Sequence, residues 1–334
     1  MSCYAPLLGV RTGVINPETG KEGLKVYGHR SRPDLYEMVK VGDSYEWRLK
    51  VNLVEHPEYV PLPCGHCIGC RLDYSRRWAN RCMLELKTSQ SAYFLTLTYD
   101  DEHVNINSQG HLTLCKRDLQ LFWKRLRKYF ENDNIRYFAC GEYGDTTLRP
   151  HYHAIVYNLN LTDLQMSGKS EFGDIYYRSD TLDSIWKNGF VCVGDVTWET
   201  CAYTARYVMK KLTGKLSDFY DTFELEPEFC VMSRRPGIGY EYYAQHKDDL
   251  LEFTSIPIST ASGVKNISIP KYYKDKLFVD NPALALYNKD RDMIAGMFRA
   301  QAIDRQTDLE SHKYLQQSER LKLQRKNVLS SRLF

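Results

Sequence analysis

The chain's 334 residues carry 45 Lys+Arg against 42 Asp+Glu, a formal net charge of +3; this excludes a histone-like polycation and confines any nucleic-acid contact to local basic patches. Hydrophobic residues at 43% and charged residues at 26% are the balance of a globular protein, and no apolar run reaches the ~20 residues of a membrane span. Ten cysteines in so long a chain exclude a disulfide scaffold, and the start MSCYAPLLGVRTG is a poor secretory signal, so the thiols are read as reduced or metal-bound in a cytosol.

Residues 1–60 are weakly patterned, with Gly20, Gly23, Gly28 and Gly42 punctuating short strand-like pieces such as Glu46–Val51. The stretch PLPCGHCIGC, Pro61–Cys70, is too rich in proline and glycine for a regular element. A helix follows it, with Leu72, Trp78, Ala79, Cys82, Met83 and Leu86 at helical spacing and Arg76, Arg77 and Arg81 between them. Ala92–Tyr99 is aromatic and threonine-rich and reads as a strand. Leu119, Phe122, Trp123, Leu126, Tyr129 and Phe130 mark an amphipathic helix whose other face carries Lys116, Arg117, Lys124, Arg125, Arg127 and Lys128. Ile135–Glu142 and His151–Tyr157 read as a hairpin around the turn Tyr143–Pro150. A short helix at Leu182–Lys187, a strand at Phe190–Val196 and a helix from Glu199 to Leu212, capped by Thr197 or Thr200, complete the patterned region.

The order β-α-β-β-α-β-α predicts an α+β fold: a ferredoxin-like antiparallel sheet with helices on one face. Beyond Gly214 the pattern weakens; Ser233–Gly239 and Ile256–Lys265 read as loops, and 285–334 as helical with a basic, solvated end. The organisation is therefore a Cys-rich N-terminal region with a basic helix (1–87), a central domain (88–215) and a C-terminal extension of loops and helices (216–334).

Within Arg149–Tyr157 (RPHYHAIVY), His151 and His153 share one strand face, because side chains alternate with period two. Two imidazoles at that spacing can hold one metal, and Glu142, closing the neighbouring strand, can add a carboxylate oxygen. Three protein ligands leave positions open for water or a phosphate oxygen, which is a catalytic rather than a structural pattern. About fifty residues on, Tyr203 and Tyr207 stand at i, i+4 of the predicted helix, with Lys210 one turn further. A phenol with a pKa of ~10 attacks poorly at neutral pH unless a cation or a metal-held target phosphate favours the phenolate.

Cys64, Cys67 and Cys70 form a compact run with the rhythm of a structural zinc site; Cys3, Cys82 and His66 are candidates for the fourth ligand. Arg76, Arg77 and Arg81 are the leading phosphate-binding patch, with Arg234 and Arg235 in a Gly/Pro-rich loop and Tyr240, Tyr242 and Tyr243 nearby as stacking candidates. Ser167–Ser170 (SGKS) resembles the end of a phosphate-binding loop, but Asp163 stands where its first glycine is needed. Unwinding is then left to a separate helicase.

Taken in order, Phe94-Leu-Thr-Leu-Thr98, Arg149-Pro-His-Tyr-His153 and Tyr203-x-x-x-Tyr207-x-x-Lys210 resemble the HUH endonucleases that start rolling-circle replication, in their two-tyrosine class. Pro63–Arg71, Arg76–Ala79, Gly141–Gly144 and Ser233–Gly239 are similar to gokushovirus (Microviridae) replication initiators. The resemblance covers about residues 60–275. It implies an HUH-type sheet and nicking of one origin strand by tyrosine transesterification, leaving a 5′-phosphotyrosine and a free 3′ hydroxyl, with later strand joining. It also implies Mg²⁺ or Mn²⁺ at His151, His153 and Glu142, and catalytic roles for Tyr203, Tyr207 and Lys210. Cys64, Cys67, Cys70 and Cys3 would hold zinc, single-stranded origin DNA would be the substrate, and host helicase and polymerase would be partners in the host bacterial cytoplasm, with no membrane. A plasmid initiator, relaxase or transposase shares this chemistry. The reading from another class is a zinc-stabilised nucleic-acid-binding regulator with structural His and Tyr residues.

Overall fold

The computed structural model describes residues 3–4, 6–17, 22–28, 30–41, 44–50, 59–132, 134–144, 146–170, 173–206, 218–253, 255–260 and 263–283. Tyr207, Lys210, the rest of the predicted helix beyond Arg206, and the 285–334 tail lie outside these residues. In chain order the elements are β1 (Leu7–Ile15), β2 (Glu22–Tyr27), β3 (Tyr36–Val41), β4 (Ser44–Leu49), β5 (Tyr59–Leu62), α1 (Ile68–Leu86), β6 (Ala92–Tyr99), α2 (Lys116–Phe130), β7 (Arg136–Tyr143) and β8 (Pro150–Tyr157). There follow β9 (Gln165–Lys169), β10 (Ile175–Arg178), α3 (Asp180–Trp186), β11 (Gly189–Gly194), α4 (Trp198–Arg206), α5 (Asp218–Thr222), β12 (Phe229–Met232), α6 (Tyr240–His246), α7 (Asp249–Glu252), β13 (Ser255–Thr260), β14 (Gly263–Ser268) and α8 (Lys271–Asp280).

The chain forms two units, residues 1–73 with 271–334 and residues 74–270. In the first, β1 lies between β2 and β5 in an antiparallel sheet, and β3 and β4 form a hairpin. In the second, seven antiparallel strands run in the order β12-β7-β8-β6-β11-β10-β9, and β13 pairs with β14. The four strands expected from the β-α-β-β-α-β pattern lie at its centre, as fourth, first, third and second of that run (β11-β6-β8-β7).

One face of the sheet holds the main core. Leu119, Phe122, Trp123 and Leu126 are the buried stripe of α2, and Leu182, Ile185 and Trp186 that of α3. They pack on Leu95, Leu97 and Tyr99 of β6, Tyr152, Ala154 and Val156 of β8, and Val191 and Val193 of β11. Each such side chain withdrawn from water contributes roughly 1.5–3 kcal/mol before entropy is charged against it. A polar network pins this layer: the Tyr152 hydroxyl bonds both the N–H and the carbonyl of Cys115 at 2.9 Å, where α2 begins, and lies 2.8 Å from the Tyr99 hydroxyl. Tyr99 in turn donates to Asp118 at 2.7 Å. Fixing Tyr152 inward fixes β8's register, since a one-residue slip would exchange its two faces.

The expectation of helices on one face is corrected. Trp78 of α1 stacks on Phe138 of β7 with ring centroids 4.9 Å apart, and Tyr203 of α4 packs on His153, both on the face opposite α2. The reading of Ile256–Lys265 as a loop is also corrected, because it forms most of the β13–β14 hairpin, with Ile256 and Ile258 buried and Pro257 turned out. Proline fits a ribbon of two strands, where one edge needs no ladder hydrogen bonds. Ser167–Ser170 lies largely in β9, a strand rather than a phosphate-binding loop.

Candidate functional site

Three β-strands assemble the site. Register places Glu142 of β7 directly across from His151 of β8, Thr98 of β6 on the other side of His151, and Thr96 beside His153. Paired residues share a face, so Glu142, His151, His153, Thr96 and Thr98 project together, away from the α2 core.

Glu142 Oε1 lies 2.8 Å from His151 Nε2 and 2.9 Å from His153 Nε2. Glu142 and His153 are buried, and His151 is partly exposed. Burial alone would raise the Glu142 pKa, but hydrogen bonds from His151 and then His153 outweigh it and hold the carboxyl at about 2, so it is ionised. The His151 Nδ1 is 3.1 Å from the Arg149 carbonyl. A carbonyl only accepts, so Nδ1 carries the proton and, in the neutral ring, Nε2 aims a lone pair at a carboxylate oxygen. Two acceptors face each other at 2.8 Å, an arrangement that requires a second proton or a cation between them.

A divalent ion meets that requirement. One carboxylate oxygen and two imidazole nitrogens lie within 4.8 Å of one another. Ligands about 2.1 Å from a common ion and at right angles sit about 3.0 Å apart, close to the separations here. Outer contacts orient the set: Thr96 Oγ1 is 3.0 Å from His153 Nδ1, and Phe94 stacks on the His153 ring at 5.5 Å with a 7° interplanar angle. Arg149, whose carbonyl holds His151, is itself held by Asp101 at 2.8 Å and by the Tyr99 carbonyl at 2.9 Å. The sequence reading missed Thr96, Phe94 and the Arg149 carbonyl as supporting groups. The signal for the first two is their shared parity in Phe94-Leu-Thr-Leu-Thr98, a strand flanking the histidine strand.

Helix α4 lies over the ligands. Thr197 and Thr200 cap it reciprocally, each hydroxyl accepting the other's N–H, at 3.1 and 2.9 Å. The cap starts the helix so that Tyr203 comes down on the site, its ring 5.1 Å from His153 and 6.3 Å from Phe94, edge-on to both. Tyr203 is half-buried.

The cysteine run forms a second cluster, in the first unit. Sγ atoms of Cys3, Cys64, Cys67 and Cys70 lie within 4.8 Å of one another. Cys64–Cys70 and Cys67–Cys3 are separated by 4.0 and 3.9 Å. Tetrahedral zinc with ~2.3 Å bonds to sulfur spaces its ligands about 3.8 Å apart. Backbone N–H groups of Tyr4, Cys64 and Cys67 donate to Cys67, Cys3 and Cys64 sulfurs, each at 3.3 Å, as thiolates require. Cys82 is buried beside Tyr157, whose hydroxyl donates to its carbonyl, and His66 is exposed; among the described residues, Cys3 completes the four.

The basic residues separate. Arg76 and Arg77 are exposed, whereas Arg81 donates twice to the Ile238 carbonyl, at 2.6 and 3.1 Å, and lies over the Trp78 ring. Arg234 and Arg235 are exposed on a loop fixed by Arg81, by Arg136 on the Pro236 carbonyl, and by Glu85, which bonds Arg136 and the Gly239 N–H. That loop leaves the sheet beside Tyr137, five residues from Glu142, or about 17 Å at ~3.4 Å per residue, so it is not brought to the histidines. The basic face of α2 is partly engaged: Arg125 caps α3 through the Ile185 and Trp186 carbonyls, Arg127 bonds Ile135, and Lys116 pairs with Glu226. Tyr242 and Tyr243 are buried, and Tyr242 stacks on His246 at 4.2 Å.

Comparison with known proteins follows the same region. The family model for replication-associated proteins of the ORF2 type matches residues 92–212. The chain is 39% identical to replication-associated protein ORF2 of Spiroplasma virus 4 over 240 residues, 71% of this chain and 72% of that one. It is 31% identical to replication-associated protein VP4 of Bdellovibrio phage phiMH2K over 64% of this chain and 66% of that one. It is 29% identical to replication-associated protein ORF4 of Chlamydia phage 1 over 65% of this chain and 53% of the relative. No solved structure matches significantly.

Proposed function

The chain belongs to the gokushovirus-like replication-associated proteins of phages, and from that premise we propose that it is an HUH endonuclease that nicks the single-stranded origin through a tyrosine. The observation that carries the proposal is the convergence of Glu142, His151 and His153 beneath the helix that bears Tyr203. The strand order β11-β6-β8-β7, fourth-first-third-second of a β-α-β-β-α-β run, supports the ferredoxin-like sheet on which such a site is built.

The chemistry follows from the residues. His151 Nε2, His153 Nε2 and Glu142 hold one magnesium or manganese ion, which when bound supplies Lewis-acid polarisation of the scissile phosphate. Imidazole donors favour manganese of the two. Tyr203 gives up its phenol proton and its oxygen attacks phosphorus in line. The new P–O(Tyr) bond forms as the P–O3′ bond breaks, and the departing 3′ oxygen takes a proton. A phosphodiester is exchanged for a phosphodiester, so the strand can be rejoined by the reverse step. Thr96 and the Arg149 carbonyl hold the two imidazoles in the tautomers that direct Nε2 inward.

Tyr207, one helical turn beyond Tyr203 in sequence, acts as the second nucleophile when the regenerated origin returns, with Lys210 steadying phenolate or phosphate. Cys3, Cys64, Cys67 and Cys70 hold structural zinc. Arg76, Arg77, Arg234 and Arg235 track the DNA backbone; Arg81 serves the same surface by supporting the 233–239 loop. Host helicase and polymerase extend the free 3′ end in the bacterial cytoplasm; among the described residues no helix is long and apolar enough to cross a membrane.

The test is cleavage of labelled single-stranded phage DNA with and without Mn²⁺. Wild-type protein cuts only with metal, and His151→Ala or His153→Ala abolishes cutting while the fold is retained. Cleavage that survives both substitutions refutes the assignment, and DNA binding without any cleavage favours the regulator.

A further inference from the structure

The histidine face of the sheet continues past the ligands. Glu142 pairs with His151, His151 with Thr98, and Thr98 with Phe190 of β11, so the four side chains form one row across four strands on one face. At ~4.8 Å per strand, Phe190 stands about 10 Å from His151 along that row. It is 50% exposed, a large apolar ring facing solvent beside a polar, charged site.

The ring is held rather than dangling. Gly189, at φ +145°, sets the strand start so close to β6 that a Cβ there would meet the Thr98 carbonyl at 2.3 Å. Thr98 Oγ1 donates to the Phe190 carbonyl at 3.1 Å. Asp183 accepts the next N–H, of Val191, at 2.6 Å and also binds the Arg178 guanidinium at 2.8 Å. Arg178 is thereby brought over the Phe190 ring, 5.9 Å from its centroid. One carboxylate therefore fixes an exposed aromatic face and a cation beside it.

Resting on the nicking reading above, we infer that Phe190 and Arg178 form a nucleotide subsite for the substrate strand: a base beside the scissile phosphate stacks on Phe190, and its phosphate meets Arg178. A single strand offers π-faces at every nucleotide with a phosphate between them, the two chemistries this pair presents. The subsite is continuous with the ligand face, and its charge complements the strand. Stacking is indifferent to base identity, so the subsite positions the strand and leaves sequence choice to other contacts.

The experiment measures binding apart from cleavage, by fluorescence anisotropy of a fluorescein-labelled oligothymidylate without divalent metal. Phe190→Ala and Phe190→Leu should each weaken binding about tenfold, and Phe190→Trp should keep or tighten it. Leucine retains apolar bulk without a ring, so the leucine–tryptophan comparison decides the matter even if the alanine variant folds poorly. Arg178→Gln should flatten the slope of log K against log salt by about 0.7. Affinity of Phe190→Leu equal to wild type overturns the proposal. Metal-dependent adduct formation by wild type, read separately, distinguishes the two ideas. A covalent adduct with a flat Phe190 series sinks the subsite alone; a graded series with no adduct sinks the nicking reading and leaves the stacking site.

Discussion

Removing one buried oxygen, Tyr152→Phe, probes whether the histidine strand is held from behind. The hydroxyl makes three contacts, with the Cys115 N–H and carbonyl at 2.9 Å and the Tyr99 hydroxyl at 2.8 Å. Tyr152 is fully buried, so water does not replace them. At about 1 kcal/mol net for each neutral hydrogen bond, and with a buried donor and acceptor left unsatisfied, the loss is about 3 kcal/mol. Equilibrium urea denaturation reads it as a lower midpoint at unchanged slope. The ring stays, so packing in the core is preserved. The hydroxyl also lies on the face opposite His151 and His153, so Mn²⁺ affinity of the folded variant should stay within about twofold of wild type. A stability loss below ~1 kcal/mol would refute the network; a collapse of metal affinity in a folded variant would refute the assignment of faces.

Glu142→Gln and His153→Ala should each weaken Mn²⁺ binding more than about 100-fold by titration calorimetry, since each removes a ligand, whereas Thr96→Val should cost about 10–100-fold and Thr96→Ser much less, the hydroxyl being retained. Elemental analysis should find about one zinc per chain, lost on Cys67→Ser but not on Cys82→Ser, because Cys3 rather than Cys82 completes the cluster. Single-strand affinity should fall with salt at about 0.7 in log–log slope per engaged phosphate, and Gln at Arg76, Arg77, Arg234 and Arg235 together should reduce that slope by about 2.8; an unchanged slope would remove these residues from the DNA path.

What was legible in the sequence was what depends on short-range periodicity. Alternation in Ala92–Tyr99 and Pro150–Tyr157 fixed both strand type and which side chains share a face, and the helical stripe Leu119, Phe122, Trp123, Leu126 located the core. Glu142 came from hairpin spacing, which register realises directly. Long-range pairing was not legible. β12, only Phe229–Met232, joins the sheet by pairing with β7, about ninety residues away, and β13 hides behind Pro257. The fate of cations was equally hidden, because Arg81, Arg125 and Arg127 are bound to carbonyls brought up by tertiary contacts. Composition shows a charge but not whether it faces solvent or a helix end. Tyr242 and Tyr243 likewise read as exposed stacking candidates and are core.

The measurement closest to the central claim is mapping of the covalent bond itself. Protein incubated with labelled circular single-stranded phage DNA and Mn²⁺, then digested, should yield a nucleotide joined through its 5′ phosphate to the peptide containing Tyr203 or Tyr207, with a free 3′ hydroxyl at the other end of the cut. Tyr203→Phe should leave an adduct on Tyr207 alone, and the double change should leave none. Absence of any phosphotyrosyl peptide from protein that binds the DNA and the metal would contradict the account, as would an adduct on a tyrosine other than these two.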